Sequence, residues 1–190
     1  MKNVSSLKSS FLIAMPSLQE SLFSHSVILM AEKKDSGAMG FIINLPTGTM
    51  LMDALKILKI KNQQPLSVPI LFGGPVQTDF FWFIHSTDFI GNSTLKVSEV
   101  FSLSSAMDIL PVLDDPICPE IYQAGVGYAG WGPNQLEHEI ELGSWWLDDF
   151  SLDMLFNVPH KEKWEFAFES LGADPTQLVD PTDPDSPSIN

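Results

Sequence analysis

Large apolar and β-branched residues gather in three early blocks, Phe11 to Met15, Ser26 to Glu32 and Gly37 to Leu45, each bounded by Pro, Ser or Gly. This pattern predicts three strands, with Lys33 to Gly37 as the hairpin turn between the second and third. From Thr49, a predicted N-cap, Leu51, Leu55 and Leu58 recur at helical spacing, and Lys56, Lys59 and Lys61 suit the negative end of a helix dipole. The prediction is a helix over Met50 to Lys61. Val68 to Phe72 and Phe80 to Ser86 read as strands, the second antiparallel to its neighbours. Ser104 or Ser105 is placed to cap a short helix over Ala106 to Leu113. Ile121 to Tyr128 reads as a strand, Pro133 as the first-turn residue of a helix that Gly143 stops after Leu142, and Trp145 to Phe150 as a strand. Pro159 to Leu171 carries Trp164, Phe168 and Leu171 on one helical face. Strands outnumber helices without regular interleaving, which favours an α+β fold over a doubly wound parallel sheet.

Two aromatic strings sharpen this picture. Phe80-Phe81-Trp82-Phe83 and Trp145-Trp146 put large rings on both faces of their strands, because side chains alternate. Such a strand is either a central one covered on both sides or the site where a protein partner or a second copy of the chain docks.

Composition then excludes several classes. The chain has 190 residues, long enough to bury about 70% of its extended surface in one domain. Twenty-four carboxylates face ten basic residues, all Lys, for a net charge of −14. Nucleic acid as a direct partner is disfavoured, since phosphate neutralisation supplies most non-specific affinity and no Arg fork is present. An anionic membrane surface is disfavoured for the same reason. The charge is uneven: residues 1–61 hold seven Lys and four carboxylates, whereas 97–160 hold no Lys. Residues 173–190 carry Pro175, Pro181, Pro184 and Pro187 with four Asp, and are expected to form a disordered acidic tail behind a single domain over 1–172. One cysteine, Cys118, and an N-terminal apolar run too short for a signal peptide point to a cytoplasmic protein with a short flexible lead.

Few residues invite chemistry. Gly125 to Gly130 matches GxGxxG after a strand, but Trp131-Gly132-Pro133 postpones the helix whose amides would meet a pyrophosphate, so no dinucleotide is expected. The glycines are better explained by close backbone packing at a strand end. Gly130, Gly132 and Asn134 could still form an anion-accepting nest beside Gly73-Gly74-Pro75, against which stand Glu137, Glu139 and Glu141. His138 with Glu137 and Glu141 offers two metal ligands on one helix face and lacks a third, so a solvated face is preferred and no metal is expected. His25, His85 and His160 are scattered singly, Cys118 lacks a basic activator, and the pairs Asp114-Asp115 and Asp148-Asp149 diverge. No catalytic constellation emerges and no cofactor is expected.

Six segments in order, FLIAMPSLQ (11–19), SVILMAE (26–32), GAMGFIIN-L-P (37–46), ILFGGPVQTD (70–79), GYAGWGPNQLEHEI (127–140) and SLDMLFNVPHKEKWEFAFESLG (151–172), resemble the bacterial YqgE/AlgH family. The resemblance implies an α+β fold in which a bent, bifurcated, mostly antiparallel sheet closes into a pseudo-barrel with packed helices. Members are often labelled transcriptional regulators, yet neither a helix-turn-helix nor a basic patch is visible here. Relatives commonly carry a basic residue at the position of Leu45 and Arg at that of Phe80, so an anion-binding role does not extend readily to this chain. The recurring positions are Asn44, Pro46, Gly73, Gly74, Pro75, Gly127, Gly130, Trp131, Gly132, Pro133, Gln135, Leu136 and Glu137. They either fix two turns that meet in the fold or converge on one pocket, with Asn44, Gln135 and Glu137 as its polar groups. The functional expectation is a binding or regulatory protein, working through protein contacts or a small-molecule ligand. The alternative is an enzyme or ligand sensor with its site between the Gly73-Gly74-Pro75 and Gly127 to Glu137 turns.

Overall fold

A computed structural model describes residues 10–18, 21–62 and 66–172. The flexible lead and the acidic tail expected at 173–190 therefore fall largely or wholly outside the described residues. Ten strands form one curled sheet: β1 (Phe11–Ala14), β2 (Val27–Lys34), β3 (Gly37–Ile42), β4 (Pro46–Met50), β5 (Pro69–Phe72), β6 (Val76–Ser86), β7 (Leu95–Lys96), β8 (Phe101–Ser105), β9 (Tyr122–Trp131) and β10 (Trp145–Asp148). The path runs β10-β1-β2-β3-β9-β6-β8-β7, with β5 parallel to β9 and β4 antiparallel to β5. Four short helices, α1 (Leu51–Ile57), α2 (Ala106–Ile109), α3 (Gln135–Glu141) and α4 (Lys163–Ser170), pack on it. The result is an α+β half-barrel.

Both faces of the sheet are apolar because it curls between helices. Alternate residues of β1 part company: Phe11 and Ile13 join one core with Leu29, Phe41, Trp82 and Phe168, while Leu12 and Ala14 join another with Ile28, Leu136 and Trp145. A third core, Leu51, Leu55, Phe83, Ile109 and Ala124, lies under α1 and α2. This arrangement explains the unbroken apolar runs of β1 and β2, which a sheet with one wet face would not need.

β9 is where the sheet forks. Its first half lies between β6 and β5, pairing Phe81 with Val126 and Leu71 with Gly125. Its second half pairs with β3, Met39 opposite Gly130. The exchange of neighbours occurs at Gly127, whose φ of +71° is a glycine conformation. Gly73 bridges the gap, donating its N–H to Val126 O (2.8 Å) and accepting from Ile42 N (2.9 Å). A Cβ on Gly73 would sit 2.3 Å from Gly127 O, and one on Gly125 would sit 2.1 Å from the Trp82 ring. The glycine-rich motif thus lies inside a strand rather than at its end, and its glycines admit a backbone crossing.

Local chemistry corrects several sequence expectations. Thr49 does not cap α1: it belongs to β4, and the cap residue is Met50, with no side-chain bond to the helix. The helix ends at Ile57, short of Lys61. Ser104 and Ser105 lie in β8, and neither side chain caps α2, which passes into a 3₁₀ turn at Leu110–Val112. Pro133 precedes α3 by two residues, the cap being Asn134 in the left-handed region at φ 59°. The last helix begins with a 3₁₀ turn at His160–Glu162 and becomes α-helical at Lys163.

Candidate functional site

The two turns that sequence reasoning singled out do meet. Val76, just past Gly73-Gly74-Pro75, pairs with Tyr128. They meet backbone against backbone: a Cβ on Gly74 would lie 2.3 Å from Tyr128 C, and one on Gly127 would lie 2.3 Å from Gly74 O. Gly73 and Gly74 are buried in this closure, whereas Gly130 and Gly132 are exposed and line a shallow groove of about 330 Å³ with Glu32, Ser36, Met39 and Tyr128.

The polar residues of the same motif turn onto one another. Gly132 donates its N–H to Gln135 Oε1 (3.0 Å), and Gln135 Nε2 donates to Glu139 Oε1 (2.9 Å). The other oxygen of Glu139 accepts both the Trp131 indole (2.9 Å) and the Trp145 indole (2.8 Å). Glu137 pairs with Lys33 at 2.6 Å, tying α3 to the β2–β3 hairpin, and the hydrogen bond from Lys33 holds its carboxyl below the usual range. The Asn134 side chain makes no cap bond, and His138 and Glu141 are exposed. Sequence reasoning treats Glu139 only as one of the carboxylates that stand against an anionic ligand. A buried indole N–H requires an acceptor, and the Gln135–Glu139 spacing of four is the sign that could have identified this joint.

Asn44 does not converge with these groups. It is 4% exposed, and its amide spans a bend in the chain, Nδ2 donating to His25 O (2.7 Å) and Oδ1 accepting from Val27 N (2.7 Å). Lys33, the partner of Glu137, pairs with Ala38, so Asn44 and Glu137 lie toward opposite ends of β3, roughly 20 Å apart at 3.3–3.4 Å per residue. The three polar residues therefore do not surround one pocket.

The aromatic strings divide between the two alternatives they raised. The Phe80–Phe83 strand is interior, flanked by β8 and β9, with Trp82 and Phe83 fully buried in different cores. The Trp145–Trp146 strand is not central: among the described residues β10 ends the sheet path and pairs only with β1. Trp145 is buried, but Trp146 is 37% exposed. Beside it runs an apolar groove of about 370 Å³ lined by Met15, Ile140, Gly143, Trp146 and Leu147. Leu142 stands exposed nearby in sequence, and Glu141 and Asp149 are exposed carboxylates. An outer strand with unpaired main-chain groups next to an apolar channel can accept an added strand.

Of the remaining histidines, His85 is structural in character. His85 is buried, with Nδ1 on Ser86 O (2.7 Å) and Nε2 on Ser104 Oγ (2.9 Å), and burial holds its pKa below the ordinary value. Cys118 has its thiol pushed up by burial and by Asp88, Asp114 and Asp115, the opposite of nucleophilic activation. No helix among the described residues is long and apolar enough to cross a membrane.

Comparison with known proteins places these features in a wider group. A family model described as AlgH-like matches residues 11–176. A UPF0301 protein of Thioalkalivibrio sulfidiphilus is 37% identical over 171 residues, covering 90% of this chain and 92% of its own. One from Vibrio cholerae is 35% identical over 178 residues, with 90% and 95% coverage. The solution structure of the AlgH protein of Pseudomonas aeruginosa superposes with a TM-score of 0.76 at 33% identity, covering 94% of this chain and 95% of that one. A Corynebacterium diphtheriae protein of 17% identity shares the fold, with a TM-score of 0.71 and 90% coverage of each chain.

Proposed function

This chain belongs to the AlgH-like family, and from that premise we propose that it is a cytoplasmic binding protein that regulates a protein partner by adding one of its extended segments to β10. The reading rests on the outer edge of β10, unpaired among the described residues, beside the Met15–Trp146 groove. Main-chain groups along the edge supply affinity in such a mode, and a groove for alternate side chains supplies selectivity. The partner segment is apolar and basic. Residues 97–160 contain no Lys, and Asp148 and Asp149 lie at the end of the strand, so a positive side chain finds complementary charge there. The same acidity argues that any regulatory effect is exerted through protein rather than by direct contact with DNA.

The test is a set of fluorescent peptides that alternate apolar and basic residues, titrated against the full chain at low and physiological salt. Binding is expected to weaken at least tenfold with Trp146→Ala, with Asp148→Asn/Asp149→Asn, and with peptides N-methylated on the backbone. Affinity that ignores both Trp146→Ala and N-methylation overturns the reading. A second reading, a ligand sensor or enzyme, is favoured by one observation: Gly130 and Gly132 border the groove of Glu32, Ser36 and Tyr128. A small molecule protecting the Gly130 and Gly132 amides from hydrogen exchange would support it.

A further inference from the structure

At the end of the sheet path away from β10, one face of β8 is built of serine. Phe101 and Leu103 enter the core around Trp82, so Ser102 and Ser104 point to the opposite face. Ser102 stands there between its cross-strand partners, His85 of β6 and Lys96 of β7.

Part of this polar face closes on itself. A carbonyl only accepts, so His85 Nδ1 donates to Ser86 O (2.7 Å) and Nε2 is left to accept from Ser104 Oγ (2.9 Å). Ser104 has then committed its proton and accepts from Thr94 Oγ1 (2.7 Å), which in turn accepts the Gly91 N–H (2.7 Å). This chain of hydroxyls runs one way and satisfies each member.

Ser102 is left outside it. With Thr87, Ile90, Thr94, Lys96 and Glu99 it lines a cavity of about 330 Å³. The residue is 2% exposed, and its hydroxyl makes no hydrogen bond among the described residues. Unlike Ser26 Oγ, that hydroxyl is not sealed from solvent, so the accessible atom of a buried residue opens on the cavity. A buried hydroxyl is costly to leave unmet. The hydroxyl of Thr87, a half-buried residue of the same lining, also makes no hydrogen bond among the described residues.

These groups define what fits. A free hydroxyl both donates and accepts, and its closest match is another hydroxyl. Lys96 and Glu99, both well exposed, pair at 2.6 Å in the same lining and add a donor and an acceptor with no net charge. Glu99 opposes an anion and Lys96 opposes a cation. Ile90 offers an apolar wall for the C–H face of a ring. The volume lies at the lower end of the roughly 300–1,000 Å³ of small-molecule sites, which suits a single ring.

We propose that this cavity binds a neutral cyclic polyol of one ring, whose hydroxyls bond Ser102 and Thr87 and meet the Lys96–Glu99 pair. The site is independent of the partner proposed for the β10 edge.

The matched probes are myo-inositol, a six-membered ring with a hydroxyl on every carbon, and cyclohexanol, the same ring with one. Both are titrated against the full chain by two-dimensional NMR. The expected result is saturable shifts with myo-inositol at tens of millimolar, centred on Ile90, Thr94 and Ser102, and at least tenfold weaker binding of cyclohexanol. Ser102→Ala removes the unmet hydroxyl and leaves the strand pairing, so it is expected to weaken myo-inositol at least tenfold without lowering the thermal midpoint. Thr87→Val, which keeps the shape and loses the hydroxyl, should weaken it in the same direction. Equal affinity for the two probes, no saturation by myo-inositol, shifts centred on the β10 edge or the Gly130 groove, or binding unchanged in Ser102→Ala overturns the proposal. So does a high-resolution crystal soaked in myo-inositol that shows only water on Ser102 Oγ.

Discussion

Trp82 donates its indole Nε1–H to the carbonyl of Gly127 at 2.6 Å, so one side chain from β6 closes the point where β9 changes partners. Its ring fills the space above Gly125, and its nitrogen satisfies the carbonyl of the residue with the left-handed backbone.

Trp82→Phe keeps most of the ring and removes the donor, leaving Gly127 O buried and unmet. The expected loss is about 1–3 kcal/mol in urea unfolding. Trp82→Ala should cost about 3–5 kcal/mol through the cavity it leaves.

Gly73→Ala and Gly127→Ala drive a methyl into backbone oxygen at 2.3 Å. Each should destabilise by about 3 kcal/mol or more, overpacking alone costing 1–3 and a positive φ adding about 1–2 at Gly127. Gly143 also has a positive φ, 75°, but nothing lies within 4 Å of its missing Cβ. Gly143→Ala should lose only about 1–2 kcal/mol, and denaturation midpoints separate the two classes.

Glu139 is the single acceptor for Trp131, Trp145 and Gln135. Glu139→Ala should cost about 2–4 kcal/mol, since several charge-assisted bonds fail together. The tryptophan emission should move to the red as two indoles lose their partner.

Lys163 is fully buried, and desolvation lowers its pKa from 10.5 to about 8. Between those values the unfolded chain holds the proton more firmly than the folded one, so native stability rises with pH across that window. The penalty, about 3 kcal/mol by the usual conversion, is fully present below pH 8 and relieved by 10.5. Wild type minus Lys163→Met, measured by urea unfolding at several pH values, should rise by that order between pH 8 and 10.5.

On the acid side, His85 and His160 are held below 6.5, chiefly by burial. The unfolded chain takes up their protons first, so stability should fall as pH drops below about 6.5, by up to about 1.4 kcal/mol per pH unit for each. His85→Gln should flatten that slope in thermal unfolding across pH 5–7.

Much of the strand framework was legible in advance because local patterns carry it: the β2–β3 hairpin, β5, β6 and β10 follow from apolar blocks and their breakers. The eluded parts depend on distant neighbours. Glycines 125–130 read as a strand end because a glycine that permits a crossing looks the same as one that permits a turn, and the crossing partners, Gly73 and Trp82, lie about 50 residues earlier in the chain. Phe101-Ser102-Leu103-Ser104-Ser105 alternates too briefly to announce β8. Thr47, not Thr49, uses its hydroxyl, on Ile70 O (2.9 Å), a tertiary contact that capping rules do not anticipate. For the candidate site, motif recognition found the Gly73–Gly127 meeting point but not its content, since only coordinates distinguish a closed backbone joint from a pocket. Trp146 was visible as part of an aromatic pair, and its exposure follows from β10 lying at the edge.

The pairing of β1 with β10 joins Ala14 to Trp145, and β9 cannot seat itself between β3, β5 and β6 until Trp131 has been made. During synthesis the nascent chain therefore carries β1 to β8 as an open, sticky set of strands until β9 is complete. Closure of the half-barrel waits for β9 and β10, which are made after the other eight strands. A stall before codon 131 would release a product with its central seam missing, a natural client for chaperones that hold unfinished chains.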